Sequence, residues 1–261
     1  GGVALNCKLN KRVMEHQAVD SLFVQPVAND SGLALGAGLL EAGSSIDFPT
    51  VHYGPEYTAA EIQQTLDKNG ISYREPDNIA RATAERIADG NLVGWFQGRL
   101  EMGPRALGNR SILADPRSVE SRTRVNRYVK HREEWRPFAP SMLETRADEY
   151  LEDAIPSPFM ILTFNATDQA TEDIPAAIHP GDNTTRPHTV TEAQTPRYYD
   201  LIREFDRITG IPVVLNTSFN DHGEPIVAQP KEALKDFYGM GLDVLVLDRF
   251  LVEKDAVRGG E

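Results

Sequence analysis

Ten lysines and arginines fall between Arg99 and Arg136, against five acids, in a chain whose formal net charge is −12. That window is +5 and the rest of the chain −17. A cationic island in an acidic protein fits a site for a small anion; a binder of nucleic acid would be basic over a broad face. At its centre is GRLEMGPRALGNRSILADPR, residues 98–117. Gly103-Pro104 forces a turn and Gly108 frees the backbone again, which leaves Arg105 and Arg110 on either side of a tight bend. A guanidinium offers a phosphate or carboxylate two parallel donors, which a lysine cannot reproduce. The competing structural reading pairs these arginines with Glu101 and Asp115. The spacing is not that of a Walker phosphate loop.

The next stretch, YVKHREEWRPFAPSM (128–142), interleaves Lys130, Arg132 and Arg136 with Trp135, Pro137, Phe138 and Pro140. Cations among rings suit a nucleotide, charge for its phosphates and a flat face for its base. Lys130 and Arg136 read as ligands; Arg132 reads as a cation at a helix end. In VVLNTSFNDHGEPI (213–226), Asn216, Ser218 and Asn220 stand just beyond an apolar run. That is a usual ligand position at strand ends, although turn chemistry explains Asn220 equally well. Arg186 sits in TTRPHTV, where a polar loop could fold over an anion. Near the start, GGVALN and NDSGLALG offer paired glycines and Asp30, whose spacing alone favours a helix cap over a metal ligand. The six histidines show no metal-binding spacing.

Elements that would position these groups alternate along the chain. SLFVQP (21–26), LVGWFQ (92–97), SILAD (111–115), FMILTF (159–164), PVVLNT (212–217) and DVLVLD (243–248) have strand length. Helices are expected over 29–43, over 59–69 behind a Thr58/Glu61 capping box, and over 77–90 with Asp77 as cap. Ser118 opens another through about Val129, and Pro137, which disfavours helix at Arg136, sets the latest end of that helix near Trp135. Two more run from Pro196 to Gly210 and from Pro230 to Gly241. Residues 165–190 read as an irregular polar loop. The class is α/β with a mixed sheet.

A 40 % hydrophobic, 25 % charged composition is that of an ordinary globular chain. One cysteine, Cys7, excludes an internal disulfide and favours a reducing, cytoplasmic compartment. No apolar run approaches membrane-spanning length. The opening GGVALNCKLN, with no methionine, reads as a turn inside a longer protein, so the sequence is expected to be a fragment.

In this order, GGVALN, NDSGLALGAG, GRLEMGPRALGNRSILADPR, KHREEWRPFAPSM, TTRPHTV and LNTSFNDHGEPIV resemble the carbamoyltransferases of the nodulation protein NodU and antibiotic O-carbamoyltransferase type. The resemblance covers nearly the whole chain. It implies that residues 1–72 are the end of an ASKHA (actin-like ATPase) domain and 73–261 a YrdC-like domain, a twisted mixed sheet with flanking helices. The implied YrdC-like chemistry makes carbamoyl-adenylate from carbamoyl phosphate and ATP with Mg2+; the ASKHA-like domain then passes the carbamoyl group to a hydroxyl of a small acceptor. By the same resemblance Arg105, Lys130, Arg136, Arg186 and Ser218 hold carbamoyl phosphate, ATP phosphates or the adenylate, with Arg105, Lys130 and Arg136 at the reaction. Gly1, Gly2 and Asn6 match a nucleotide-facing turn, and Asp30 matches a ligand of a divalent metal, iron. Met102 replaces the family's aromatic, and GDNTTRPH departs from its Asp-Gly-Thr-Ala-Arg pattern. A rival expectation is an RNA-binding module of the same fold, which would show steep salt dependence. The acidic total favours the small-anion pocket.

Overall fold

The computed structural model describes residues 1–133 and 136–254. Trp135, expected in the frame around Arg136, lies outside the described residues. In chain order the helices and strands are α1 (Cys7–Met14), α2 (Asp30–Ala42), α3 (Ala59–Lys68), α4 (Ile79–Ala88), β1 (Val93–Phe96), β2 (Arg110–Ala114), α5 (Val119–Tyr128) and β3 (Ala139–Leu143). There follow β4 (Phe164–Asn165), α6 (Asp168–Asp173), β5 (Thr184–Thr185), β6 (His188–Val190), α7 (Pro196–Thr209), β7 (Val213–Ser218), α8 (Pro230–Gly239), β8 (Val244–Leu247) and β9 (Phe250–Glu253).

Seven strands form one mixed sheet in the order β6-β3-β7-β2-β1-β8-β9. The pairs β1/β8 and β3/β6 are parallel and the others antiparallel. Both faces are covered, so the central strands are apolar on both sides, with successive residues alternating between two cores. Val93, Trp95, Val214, Val244 and Val246 face α4 and α7, meeting Ala84, Ile87, Leu201 and Phe205. Phe96, Leu215, Leu245 and Leu247 face the other way, toward Ile62, Leu66, Val125 and Phe237. Helix α3 precedes the expected boundary near residue 72, and its Ile62 and Leu66 belong to this second layer. The observed mixed α/β class is the one expected.

Several local expectations are corrected. Residues 21–26 form no strand, and of 159–164 only Phe164 enters one. Met160 there adopts φ +54°, which no strand accommodates. The cap of α4 is Asn78, which accepts from the Arg81 N–H, rather than Asp77. Residues 165–190 are more than loop: they hold α6 and the β4–β5 ribbon and bury Ile174, Ala176 and Ala177. Helix α5 ends at Tyr128, and His131 at φ +47° reverses the chain. No helix among the described residues is long and apolar enough to cross a membrane.

Candidate functional site

One end of the sheet gathers the C-terminal ends of β1, β7 and β8 and the N-terminal ends of β2, β3, β6 and β9. The β1–β2 connection, residues 97–109, crosses this end. Glu101 is buried within it, and its Oε1 accepts backbone N–H bonds from Leu107 (2.7 Å), Asn109 (2.9 Å) and Arg110 (3.2 Å). Gly103, at φ +106°, packs so tightly on the N-terminal section that a Cβ there would lie 2.9 Å from Val27 Cγ1.

The arginines flanking the bend part company. Arg110 turns inward: its guanidinium stacks 3.5 Å from the Phe96 ring centre and donates to the carbonyls of Gln97, Asn109, Pro55 and Gly98. Burial pushes it down to about 10, opposed in part by Glu101. Arg110 is therefore a fastener of the loop. Asp115 takes the neighbouring Arg117 in a bidentate pair.

Arg105 instead lines a cleft of about 320 Å³, together with Arg132, Arg136, Arg186 and Lys8. Phe138, Pro137 and Thr185 complete its walls, and no carboxylate lines it. The Nε atoms of Arg105 and Arg186 are buried without a partner. Burial lowers Arg105 and pushes Arg186 down to about 10, with the Arg105 charge the next cause for Arg186. Arg132 falls to about 10 as well, by burial first and then by Arg136. Desolvated like charges with free donors are costly until an anion neutralises them. Arg136 is half-exposed at the mouth, with Nη1 3.7 Å from Glu133. The N-terminal section reaches the same cleft: Cys7 and Lys8 line it, Lys8 pairs with Asp182, and Asn10 Nδ2 donates to the Ile161 carbonyl at 2.9 Å.

Sequence reasoning assigned Arg132 to a helix end; the structure brings it into the cleft, stacked 4.5 Å from the Phe138 ring centre. The available signal was that aromatic six residues on. Lys130 does not line the cleft. It is buried, and Nζ donates to Ser218 O (2.7 Å), Asn220 O (2.9 Å) and Asn220 Oδ1 (2.8 Å). Burial, then Arg132, pushes it down to about 7, while three oxygen acceptors match the three donors of an ammonium. Ser218 Oγ donates to Asn220 Oδ1 at 2.5 Å. Asn216 Nδ2 braces the β1–β2 connection from below, donating to Ala106 O and Ser141 Oγ. Of the expected ligands, the structure thus brings Arg105, Arg136 and Arg186 together, and sets Lys130, Asn216, Ser218 and Asn220 behind them as bracing.

The N-terminal candidates lie elsewhere. Gly1 donates its amino group to the Ala28 carbonyl, Gly2 has open space around it, and the Asn6 side chain caps α1 by accepting from Leu9 N–H. Gly1 and Asp30 border an apolar groove along α2. Asp30 is exposed on the first turn of that helix, and no group of three metal-ligating side chains occurs among the described residues. Asp30 by itself does not make a metal site.

The family description "Carbamoyltransferase C-terminus" matches residues 84–254, and "Carbamoyltransferase N-terminus" matches residues 1–39. The chain is 42 % identical to nodulation protein NolO of Bradyrhizobium diazoefficiens, over 97 % of its own length and 48 % of that protein's. It is 41 % identical to nodulation protein NolNO of Sinorhizobium fredii, over 97 % and 39 % of the two lengths. The chain thus spans about half, or less, of these curated relatives. Among solved structures it is similar to full-length HypF in a phosphate- and nucleotide-bound form (19 % identity, TM-score 0.47, 70 % of this chain and 23 % of that one). It is also similar to P. abyssi Sua5 complexed with L-threonine (18 % identity, TM-score 0.48, 67 % and 47 %). With family descriptions matched at both ends and relatives above 40 % identity along almost its full length, the chain belongs to the carbamoyltransferase family.

Proposed function

We propose that the arginine cleft captures carbamoyl phosphate and ATP, entering with Mg2+, and forms carbamoyl-adenylate, from which the parent protein carbamoylates a hydroxyl of a small molecule. The observation that carries this reading is the meeting of Arg105, Arg132, Arg136 and Arg186 in one cleft with no lining carboxylate. Water first cleaves carbamoyl phosphate to carbamate and inorganic phosphate; a carbamate oxygen then attacks the α-phosphorus of ATP, and pyrophosphate leaves. Positioned positive charge is the main catalytic demand of such phosphorus chemistry, and no side-chain nucleophile is required. Arg105 and Arg186 supply unpaired donors at the buried end, and Arg132 on Phe138 supplies a flat wall. Arg136 meets the second phosphorylated ligand at the mouth. Lys130 holds the Ser218–Asn220 turn, and can exchange one of those oxygens for a phosphate oxygen when ligand enters.

The test is exchange of labelled pyrophosphate into ATP, dependent on carbamoyl phosphate. Exchange should occur with this chain and vanish in Arg105→Ala while the melting temperature stays unchanged. No exchange, or equal exchange in the variant, overturns the reading.

A further inference from the structure

Among the described residues, five lysine and arginine side chains line the arginine cleft, and they are held in two ways. Arg105 and Arg186 each present a buried Nε without a partner. Arg132 is fixed by the Asn126 side chain, which accepts from its Nε at 2.6 Å, and by the Phe138 ring. The remaining two differ. About half of the Lys8 and Arg136 side chains is exposed, and each meets a carboxylate that stands beside the cleft without lining it: Asp182 and Glu133 respectively. Exposed pairs of this kind contribute little net free energy, because water competes for both charges. A phosphate carries two negative charges and several acceptor oxygens, so it competes for the same cation on better terms.

The Lys8 pair is built so that it can open without disturbing either neighbour. Lys8 takes the Oδ2 atom of Asp182. The other oxygen, Oδ1, accepts from Thr184 Oγ1 at 2.7 Å and from Thr184 N–H at 3.3 Å, so the carboxylate is held in a turn of its own. Helix α1 is likewise held without Lys8. Asn10 Nδ2 donates to the Ile161 carbonyl at 2.9 Å, Thr163 Oγ1 donates to the Cys7 carbonyl at 3.3 Å, and Lys11 donates to Asn165 Oδ1. Lys8 is thus a flexible cation on a fixed helix, set between a fixed carboxylate and a cleft of unsatisfied arginines. We propose that Lys8 is a ligand-binding residue of this cleft and that Asp182 is its placeholder, from which an entering phosphate takes the ammonium. This rests on the reading of the cleft as a phosphate site, and it makes that site a joint product of α1 and the sheet.

The experiment is calorimetric titration of the whole chain with inorganic phosphate, repeated on Arg105→Ala, Lys8→Met, Asp182→Asn and the double variant of the last two. Asparagine keeps the Oδ1 that accepts from Thr184 and gives up the charge. Both side chains are exposed, so neither change should prevent folding. Lys8→Met should weaken phosphate binding about three-fold, and Asp182→Asn should tighten it about as much, because freeing Lys8 no longer breaks an ion pair. Coupling is the critical result: with Asp182→Asn already present, Lys8→Met should cost about ten-fold, as for a charge-assisted hydrogen bond. Equal losses in the two backgrounds would mean that Lys8 and Asp182 act only as distant charges. Weaker binding in Asp182→Asn would make the pair a tie for α1. Either result overturns the proposal while Arg105-dependent phosphate binding still stands. Absence of any Arg105-dependent phosphate binding overturns the reading of the cleft, and this proposal with it.

Discussion

Gly108 lies against the face of Tyr198, so close that a Cβ added to the glycine would stand 2.3 Å from Cδ1 of the ring. The same glycine holds φ +98°, where other residues are strained. Tyr198 is buried and its ring stacks on His188 at 6.0 Å, so it has no room to retreat. Gly108→Ala should cost about 2–5 kcal/mol, combining overpacking with backbone strain. Urea denaturation checks the loss. Anion binding should fall with it even where the variant remains folded, because the displaced segment carries Arg105.

Arg105→Lys keeps the charge and loses the fork. Affinity for carbamoyl phosphate should fall by roughly 1–3 kcal/mol, as for a charge-assisted hydrogen bond, with the melting temperature unchanged. Calorimetric titration reads it directly. Equal affinity in the lysine variant would make Arg105 structural.

Arg132 and Lys130 should part in their effects. Arg132→Ala removes a cleft wall and should weaken ATP binding while leaving stability within about 1 kcal/mol. Lys130→Met removes a buried donor to three oxygens and should cost about 2–4 kcal/mol, since the Ser218–Asn220 turn loses its partner. Melting curves and nucleotide titration on both variants separate the two roles.

Glu101→Gln replaces a charged acceptor of three backbone N–H bonds with a neutral one. Stability should drop by roughly 1–3 kcal/mol. Hydrogen exchange at Leu107 and Asn109 should quicken more than at the strand amides. Uniform quickening across the chain would mean that Glu101 stabilises the fold as a whole and not the connection.

Acid stability should depend on His188. Burial, helped by His52, holds its pKa at about 3 against an ordinary 6.5. Between those values the unfolded chain takes up a proton that the folded chain refuses, so stability is full above about pH 6.5 and lost progressively as pH falls toward 3. His188→Gln should flatten that part of the urea-midpoint profile relative to the parent. Identical slopes would assign the acid loss to carboxylates alone.

What the sequence disclosed follows from how local the responsible physics is. The Thr58/Glu61 box, the Ser118 cap and the Pro196–Gly210 limits of α7 are set within a few residues, and each appears as expected. The strands buried on both faces, such as 213–218 and 244–247, advertise themselves as apolar runs. Strand β3 was illegible because Pro140 sits inside it. It tolerates that proline where it pairs only with Leu215, since pairing to β6 begins one residue later at Ser141. The arginine cleft was legible as a charge cluster, but the inward turn of Arg110 and the burial of Lys130 depend on contacts with residues 55 and 218–220, far away in sequence. The alternation of cations with aromatics pointed to a segment that lines the cleft and placed Arg132 at a helix end, because the helix ended seven residues earlier than Pro137 alone requires.

The gathering of loops at one end of the sheet divides the molecule's tolerance for change. At the opposite end the connections only close the fold: Arg124 joins the Gly90 carbonyl to Asp243, and the Asp243 carboxylate accepts from Leu92 N–H. Substitutions there should shift the melting temperature and leave ligand preference alone, while substitutions of the cleft-lining Arg105, Arg132, Arg136 and Arg186 should change preference at nearly constant melting temperature. A relative that has changed its ligand preference or its working temperature would therefore carry the two kinds of difference at opposite poles of the same sheet. Directed evolution could change the cleft-lining side chains and the opposite pole separately.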